Sequence, residues 1–456
     1  MTAQNHQPSA LWQERFTVVR LISVILISGM IFRSFMAEPS HIPTGSMAPH
    51  RLGLHQNLIC PNCKFAFQVG IRTDGSSPEI TCPNCALRVS LDSTQIDQVE
   101  GDRVWVDKAT MGLIQPKRWQ EVIFFSPDAP LTPHLKRVAG MPGESVLIDK
   151  GDVFIDGKRI VKNDDDRKAM SVRVYDQSYP SDDDARYPRW RFSATNSGQS
   201  TGWSFSEKKS ELIFQSSTPD QKSTQMWDWA NYRHLCPDRG EYGPVRDFLA
   251  YEGRNIGGQN LVGDLWFEAD LEFDGCQSLA FRLSTDDVEI SLEFDLTNAS
   301  SMPTGVVKIN GEIMGLIWRK PFDLKVLRSA RLEVSWVDHQ LEYRINGDLI
   351  FEPLRVEKTI AKPPSSTFRD SPIGIGLIGG RGKISRFRLF RDIYITNRLA
   401  NEPVIGFGVR EPVRLPDDGY FLLGDNSGFS LDSRFWKHGP VVPRSAIIGC
   451  PIGKGR

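Results

Sequence analysis

The sequence predicts a mainly β protein with one N-terminal helix, and three observations support this fold class. Segments such as 267–273 and 290–296 alternate apolar and polar residues, which is the period of a strand with one buried face. Asn310-Gly311 and Asn346-Gly347 are signals for tight hairpin turns. A single stretch, near the N-terminus, is apolar for long enough to predict a membrane-length helix.

Length and composition limit the number and class of the domains. The chain has 456 residues, which predicts about three domains of about 150 residues each. Lysine and arginine total 55 against 56 aspartate and glutamate residues, so binding of nucleic acid through bulk charge is excluded. A hydrophobic fraction of 40% excludes a largely disordered chain. We therefore expect a globular protein with no nucleic acid partner.

The apolar stretch covers residues 16–36 and follows a short N-terminal tail over residues 1–15. Its charge-free centre runs from Leu21 to Phe32, between Arg20 and Arg33. This centre would span about 18 Å as a helix, less than the ~30 Å of a hydrocarbon core, but the arginine side chains can reach the lipid surface. We predict an uncleaved transmembrane anchor. The alternative is a removable signal peptide, although no small-residue cleavage site follows.

Two motifs after this stretch contain candidate catalytic side chains. Ser46 follows Gly45 in a segment bracketed by prolines, which predicts a rigid, non-helical turn. Lys136 has Leu135 and Val138 as neighbours, so we expect it in an apolar setting. Burial disfavours the ammonium, and a neutral lysine can act as general base for a serine hydroxyl. Each motif alone is also compatible with an ordinary surface loop.

Four motifs that follow one another in a fixed order make the assignment of Ser46 and Lys136 more specific. The chain contains IPTGSMAP over residues 42–49, GDRVWVDK over 101–108, KRVAGMPGE over 136–144 and GDNSGFSLDSRFW over 424–436. Together, behind an N-terminal apolar segment, they resemble the motifs of type I signal peptidases. The resemblance implies a membrane-anchored serine endopeptidase (a hydrolase) that removes signal peptides from secreted pre-proteins. It would cut after small residues at the −1 and −3 positions through a Ser-Lys acyl-enzyme.

The resemblance also implies a role for each matching residue. Ser46 would be the nucleophile and Lys136 the general base. Thr44 stands where the family commonly has serine, and its hydroxyl would join the Ser46 backbone N–H as an oxyanion donor. No metal or organic cofactor is expected for catalysis.

Three residues of the last motif would support this dyad. Ser430 would orient the Lys136 amine by a hydrogen bond, and Asp432 and Arg434 would form an ion pair. The resemblance further implies a single-pass protein of the cytoplasmic (inner) membrane, with its catalytic domain on the outer, periplasmic or extracytoplasmic face. Pre-proteins, membrane lipid and the secretion machinery would be its partners.

Two other functions remain open at this point. A self-cleaving protease of the LexA type uses the same Ser-Lys chemistry, but that family lacks the membrane anchor and the GDN motif. The other alternative is an inactive membrane-anchored protein that binds a glycan or a protein through an inserted domain.

Residues 57–96 contain two Cys-Pro-Asn-Cys motifs separated by 18 residues. Their cysteines are Cys60, Cys63, Cys82 and Cys85. This spacing is typical of a zinc ribbon with a tetrahedral, four-cysteine structural site. The alternative is a pair of disulfides, but a disulfide within Cys-x-x-Cys closes a very short loop and is more typical of redox sites.

Residues 164–403 match nothing in the ordinary protease core. Their strand alternation predicts an antiparallel, two-sheet sandwich with a general resemblance to concanavalin-like and laminin-G-like jelly rolls. Trp266 and Trp336 lie within predicted strands and are expected in the core. Trp227 and Trp229 could stack on sugars if exposed, but we favour a structural role.

The domain prediction combines these elements. A signal-peptidase β-fold, built from residues 37–56, 97–163 and 404–456, follows the transmembrane helix. It is interrupted by the zinc ribbon over 57–96 and by the β-sandwich over 164–403. Three domains are thus expected, with two of them threaded into loops of the first.

Overall fold

The computed structural model describes residues 10–31, 33, 36–71, 79–89, 97–181, 187–194, 201–216, 226–253, 258–285, 288–297, 304–319, 329–356, 370–400 and 405–453. Helices in this part of the chain are α1 (Ala10–Ile31), α2 (Ala109–Leu113) and α3 (Asp164–Ala169). The strands are β1 (Ala37–His41), β2 (His55–Ile59), β3 (Ala66–Gly70), β4 (Ile80–Thr81), β5 (Arg88–Val89), β6 (Gln98–Val99), β7 (Arg103–Asp107), β8 (Glu121–Ser126), β9 (Ala129–Gly140), β10 (Ser145–Asp149), β11 (Asp152–Ile155), β12 (Lys158–Arg159), β13 (Val172–Asp176), β14 (Trp190–Ala194), β15 (Trp203–Ser206), β16 (Glu211–Gln215), β17 (Asp228–Tyr232), β18 (Leu235–Cys236), β19 (Glu241–Tyr242), β20 (Leu265–Asp274), β21 (Ser278–Ser284), β22 (Glu289–Asp295), β23 (Thr304–Ile309), β24 (Glu312–Met314), β25 (Ala330–Val337), β26 (Gln340–Ile345), β27 (Asp348–Leu349), β28 (Leu354–Arg355), β29 (Ile373–Ile378), β30 (Arg381–Arg391), β31 (Val413–Arg414), β32 (Gly419–Leu423), β33 (Val442–Pro443) and β34 (Ile447–Ile452). The prediction of a mainly β protein is confirmed.

Two sheets form the unit that contains the four motifs. One has the strand order β1-β7-β34-β8-β9-β32-β33, and the other has the order β12-β11-β10-β31. The C-terminal strand β34 pairs with β7 and with β8, and β32 pairs with β9. Segments from the two ends of the chain therefore form one sheet. We call this sheet and the four-stranded sheet together the catalytic unit.

The segment between β1 and β7 forms the cysteine ribbon. Strands β3, β2 and β6 make a three-stranded sheet, and β4 pairs with β5 in a separate hairpin. Cys60, Cys63 and Cys82 are buried with Phe67 and Val69 in one small apolar cluster. This cluster is small, so the cysteine side chains form a large share of what the ribbon buries.

The long insertion is a sandwich of a nine-stranded and a seven-stranded sheet. The larger sheet has the path β15-β16-β30-β20-β25-β26-β27, with β13 on β30 and β28 on β26, and the smaller has the order β14-β17-β29-β21-β22-β23-β24. The alternation in the sequence places one face of each strand inside, where Phe267, Phe281, Leu292, Tyr343 and Phe387 are buried. The predicted antiparallel β-sandwich is present.

The two Asn-Gly pairs turn the hairpins that the sequence predicts. Asn310 and Gly311 have φ of 50° and 86°, and Asn346 and Gly347 have φ of 52° and 90°. They join β23 to β24 and β26 to β27. Two successive residues with positive φ match the twist of the flanking strands, and asparagine and glycine adopt that conformation at the lowest cost.

The tryptophans of the sandwich divide into two groups. Trp266 and Trp336 are 4% and 3% exposed, as expected for core residues. Trp227 and Trp229 are half-buried, with ring centroids 5.8 Å apart. A glycan ligand for this second pair stays a prediction.

The N-terminal helix differs from the predicted anchor over residues 16–36. Helix α1 begins at Ala10 and ends at Ile31. It includes Glu14, Arg15 and Arg20, so its charge-free part is limited to its second half, about 17 Å long. None of the helices in the described part of the chain has the length and apolar character needed to cross a membrane. The prediction of a transmembrane helix is therefore not supported by this model.

The sandwich is packed against the catalytic unit at both of its ends. Met170, which ends α3, and Ile393 and Ile395, which follow β30, are buried in the same apolar cluster as Val146 and Phe421 of the catalytic unit. The entry and exit segments of the insertion thus belong to the core that positions the catalytic strands.

Candidate active site

The nucleophile turn and strand β9 bring the two candidate catalytic side chains together. Ser46 lies in a 3₁₀ turn, Gly45–Met47, that follows β1. Lys136 lies on β9, opposite Val122 of β8. The Lys136 Nζ is 2.5 Å from the Ser46 Oγ, within hydrogen-bond distance. Residues that are 90 positions apart in the sequence are therefore in direct contact.

The surroundings of Lys136 favour its neutral form. The residue is 2% exposed, and Val138 and Ala139 beside it are fully buried. Burial lowers the pKa of Lys136 to about 8, while Asp432 and Asp425 act in the opposite direction. A lysine with this pKa is partly neutral near pH 8, so its amine can accept the proton of the Ser46 hydroxyl.

Thr44 and Asn426 contact the same turn. The Thr44 Oγ1 is 3.4 Å from the Ser46 Oγ. The Asn426 backbone N–H donates to the Ser46 carbonyl at 3.1 Å, and its side-chain amide donates to the Gly45 carbonyl at 3.0 Å. Asn426 therefore holds the peptide groups on both sides of the Ser46 Cα, while the oxyanion role of Thr44 stays a prediction.

Ser430 lies at the site, but its expected hydrogen bond to Lys136 is not present. Its hydroxyl is fully buried and has no hydrogen-bond partner among the described residues. A Cβ on Gly424 would lie 2.1 Å from the Ser430 Oγ and 2.6 Å from the Ser46 carbonyl oxygen. Because Gly424 has no side chain, the Ser430 hydroxyl and the Ser46 carbonyl can both pack closely against it.

The predicted ion pair of Asp432 and Arg434 is formed and is completely buried. The Arg434 Nε donates to one Asp432 oxygen at 2.9 Å and the Nη2 to the other at 2.7 Å. The remaining Arg434 donors bind Thr396 and Ser427. Asp432 also accepts from the Gly424 backbone N–H at 3.0 Å, so this pair fixes the loop that contacts Ser46.

A second buried ion pair was not predicted from the sequence. The Arg137 Nε and Nη2 donate to the two oxygens of Asp425 at 2.7 and 2.8 Å. The His50 Nδ1 is 2.8 Å from Asp425 as well, and Glu121 lies 3.1 Å from Arg137. Burial alone would raise the pKa of Asp425, but Arg137 and His50 lower it to about 2. The motifs contain Arg137 and Asp425, but nothing in their spacing pairs them.

The sandwich also contributes two residues to the nucleophile turn. They lie in a short 3₁₀ turn, Ala250–Glu252. Tyr251 packs on Gly45, where a Cβ would lie 2.2 Å from its ring, and donates to the Leu54 carbonyl at 3.2 Å. The Asn426 side-chain amide donates to Glu252. No sequence signal identified these contacts, because they depend on how the insertion folds back.

A comparison with protein families matches two segments of this chain. The model of the family described as signal peptidase, peptidase S26, matches residues 85–209 and 384–452. Over these segments the chain is similar to that family. The matched segments include Lys136, Asp432 and Arg434, whereas Ser46 precedes them and is placed in the site by its contact with Lys136.

One curated relative is a Synechocystis protein named "Probable signal peptidase I-2". It is 29% identical to this chain over 128 residues, which are 26% of the chain and 51% of the relative. The chain thus spans about half the length of the curated relative that it matches.

Solved structures similar to the chain are β proteins. A Bacillus subtilis protein of unknown function with a galectin-like fold has 12% identity and a TM-score of 0.29, and covers 48% of this chain and 94% of its own. The Bacillus subtilis carbohydrate binding module CBM66 has 9% identity and a TM-score of 0.25, and covers 43% of this chain and 92% of its own. At these scores the likenesses assign no ligand to the sandwich.

The four cysteines of the ribbon form one cluster. All four Sγ atoms lie within 4.8 Å of one another, and Cys60–Cys85 and Cys63–Cys82 are each 3.6 Å apart. A tetrahedral zinc with Zn–S bonds of about 2.3 Å needs sulfurs about 3.8 Å apart. The hydrogen bond between Cys63 and Cys82 lowers the pKa of the Cys63 thiol and raises that of Cys82, whereas cysteine binds metal as the thiolate.

The two halves of the cluster have the same backbone geometry. The Lys64 N–H donates to the Cys60 carbonyl, and the Ala86 N–H donates to the Cys82 carbonyl, both at 3.0 Å. Lys64 and Ala86 share a φ of 62°. The four cysteines form no disulfide with one another, and a zinc ion bound by the two knuckles stays a prediction.

We expect Asp425→Asn to destabilise the catalytic unit by about 3 kcal/mol or more at pH 7, because Arg137 would lose its buried partner. The pKa of Asp425 is depressed in the folded state, so its stabilisation is present above the unfolded value near 3.9 and is lost as pH falls toward about 2. Urea unfolding of both proteins at pH 7, 5, 4 and 3 should show the difference shrinking toward acid. The exposed Asp417→Asn is the control, and a loss that is equal at every pH would contradict this account.

Proposed function

We propose that this protein is a signal peptidase I, a serine endopeptidase that cleaves signal peptides from pre-proteins by a Ser-Lys mechanism. The observation that supports this most directly is the 2.5 Å contact between the Lys136 Nζ and the Ser46 Oγ. It occurs within a chain that is similar to the signal peptidase S26 family over two segments. A buried amine in contact with a hydroxyl, at the end of a rigid turn, is what nucleophilic catalysis by this pair requires.

The reaction begins when neutral Lys136 takes the proton of the Ser46 hydroxyl. The Ser46 oxygen attacks the scissile carbonyl, and the charge on the carbonyl oxygen is stabilised by the Thr44 hydroxyl and the Ser46 N–H. The Lys136 ammonium then returns a proton to the leaving amine, and an acyl-enzyme ester remains on Ser46. Lys136 next accepts a proton from water, and the resulting hydroxide attacks the ester carbonyl. The C–O bond to Ser46 breaks, and Lys136 returns the proton to the Ser46 oxygen.

The substrate would bind as an extended strand. Strand β1 leads into the nucleophile turn and lies at one edge of its sheet as described. Unpaired backbone groups at a sheet edge can bind a peptide by strand addition. Small side chains at the −1 and −3 positions would let the scissile bond approach Ser46, which is only partly exposed.

We propose a structural zinc ion for the ribbon, held by Cys60, Cys63, Cys82 and Cys85. The sulfur spacing supports this ion. Four thiolates would fill a tetrahedral site and leave no position for water, so the ion would stabilise the fold and take no part in the reaction. The ribbon contacts Tyr251 through Gly70, which links its folding to the nucleophile turn.

The zinc proposal predicts about one zinc per chain. Cys82→Ser removes one buried ligand and should reduce the zinc content well below this value, as measured by elemental analysis of purified protein. Cys276→Ser is the matched control, because Cys276 lies outside the cluster and its replacement should leave zinc unchanged. Zinc-free wild-type protein with a fully folded ribbon would contradict the proposal.

We further propose that α1 attaches the catalytic unit to a lipid membrane, on the outer face of the cytoplasmic membrane where precursors emerge. Exposed apolar side chains of α1 support this, with Ile22, Ile25 and Leu26 51–61% exposed. Ile22→Glu with Leu26→Glu should abolish flotation of the chain with liposomes. Ile313→Glu, at an exposed site of the sandwich, should float like wild type. Equal flotation of all three proteins would argue against attachment through α1.

The mechanism predicts the effect of removing each member of the dyad. Ser46→Ala should abolish cleavage of a model precursor, and Lys136→Ala should reduce kcat/KM by at least about 10²-fold. Because the neutral amine is the base and its pKa is about 8, kcat/KM of the wild type should rise with pH up to about 8 and then level. Lys117→Ala, an exposed lysine of the catalytic unit, should retain the wild-type rate and pH profile. Cleavage by Ser46→Ala at the precursor's A-x-A site would refute the assignment.

The same variants distinguish cleavage of a precursor from self-cleavage. A LexA-like protease would cut its own chain in a Ser46-dependent reaction and leave an added precursor intact. The contacts of the nucleophile turn with Asn426 and Tyr251 hold it within the fold, and the S26 family match favours a precursor in trans.

A further inference from the structure

Charged side chains from five separate segments meet where the sandwich joins the catalytic unit. Asp152 begins β11 and Lys162 follows β12, both in the catalytic unit. Asp264 precedes β20, Asp338 lies in the turn between β25 and β26, and Asp392 follows β30. One oxygen from each of Asp152, Asp264 and Asp338 lies within 4.8 Å of the other two. We call these four aspartates the junction cluster.

The cations beside the junction cluster do not balance its charge. Lys162 Nζ is 2.8 Å from Asp338 and 2.8 Å from Asp392, and Arg159 is 2.9 Å from Asp152. Four carboxylates thus face three cations, Lys162, Arg159 and the nearby Arg391, so the negative charge is in excess when all of them are ionised. The nearby Arg391 donates instead to the backbone carbonyls of Asp392 and Phe248.

One carboxylate oxygen in this setting is buried with its bonding capacity unused. Asp392 is 4% exposed, and its Oδ2 is held by Lys162. Its Oδ1 is buried and has no hydrogen-bond partner among the described residues. A carboxylate oxygen that is buried without a partner is unfavourable. It is therefore a second, independent sign that a positive ligand fits here.

The four carboxylates act on one another electrostatically. Burial, followed by the charges of Asp152, Asp338 and Asp392, raises the pKa of Asp264 well above its ordinary value. Hydrogen bonds within the cluster are few: the Asp338 backbone N–H donates to Asp264 at 3.1 Å, and the Lys162 backbone N–H donates to Asp338 at 2.8 Å. The oxygens are thus close together with repulsion that the protein's own cations do not remove.

We propose that the junction cluster binds a Ca²⁺ ion, with Asp152, Asp264 and Asp338 as ligands and Asp392 beside them. Carboxylate and carbonyl oxygens are the ligands that hard divalent cations prefer, and Ca²⁺ tolerates an irregular set of them. A divalent ion would offset the excess of negative charge in the cluster. Asp152 and Asp264 are only partly buried, which gives an ion a route from solvent.

Binding there would fix the sandwich to the catalytic unit. The ligands come from both bodies, so the ion bridges β11 of the catalytic unit and the β20 and β25–β26 ends of the sandwich. The same sandwich places Tyr251 against Gly45 in the nucleophile turn. The ion is a structural clamp in this proposal and takes no part in peptide cleavage, so its test does not depend on the proposed peptidase activity.

The test is Ca²⁺ titration of the full chain by calorimetry in calcium-free buffer, together with thermal unfolding. Wild type should bind one Ca²⁺ per chain, and its Tm should rise by several degrees at saturation. Asp264→Asn, which retains the size and one oxygen, should weaken binding by more than about tenfold. The matched control is Asp274→Asn, at the exposed far end of β20, and it should bind like wild type. Zinc content is measured in parallel to check that the ribbon holds the same amount of zinc in each protein.

A second readout separates a metal site from a purely structural cluster. Without calcium, Asp264→Asn should be as stable as wild type or more stable, because it removes one of the repelling carboxylates. The proposal is overturned if wild type binds no Ca²⁺ at millimolar concentration, if Asp264→Asn binds it equally well, or if Mg²⁺ is preferred. If Asp264→Asn does not fold, Asp152→Asn at the partly exposed position gives the same comparison.

Discussion

The buried amine of Lys136, with its lowered pKa, is the constraint on which the rest of the site depends. Burial lowers its pKa, but the carboxylates of Asp432 and Asp425 oppose that effect. Each of these carboxylates is bound in bidentate fashion by an arginine, Arg434 or Arg137. Because each carboxylate is paired with an arginine, Asp432 and Asp425 can organise the loop at Gly424 while the pKa of Lys136 stays lowered. A buried carboxylate left unpaired near Lys136 would raise the pKa of Lys136 and favour the ammonium.

The nucleophile turn is held from three parts of the chain. Asn426 binds the carbonyls of Gly45 and Ser46, and Lys136 binds the Ser46 side chain. Tyr251 of the sandwich covers Gly45. A serine that is fixed before substrate binds avoids the entropy cost of ordering it during the reaction. The sandwich is therefore part of the support of the site, whatever else its outer surface binds.

Much of the fold and the centre of the site could be predicted from the sequence, because they depend on local patterns. Strand alternation and Asn-Gly pairs are local, and the sandwich and its hairpins follow from them. The Cys-x-x-Cys spacing predicted a cluster that the structure contains. The predicted transmembrane helix over residues 16–36 is not supported by the structure. That prediction rested on the apolar residues between two arginines, whereas helix α1 begins earlier and includes Glu14 and Arg15.

The contacts that the sequence could not predict all join residues that are far apart in the chain. Tyr251 is an ordinary aromatic residue in a loop until the sandwich folds back on Gly45. The aspartates of the junction cluster lie singly at the ends of strands, where acidic residues are common, and none has a neighbour that marks it as a ligand. Their proximity follows from strand pairing across two sheets, since β20 is bonded to both β25 and β30 and so brings together the positions next to all three strands. Topology, rather than spacing, concentrates their charge at the joint between the domains.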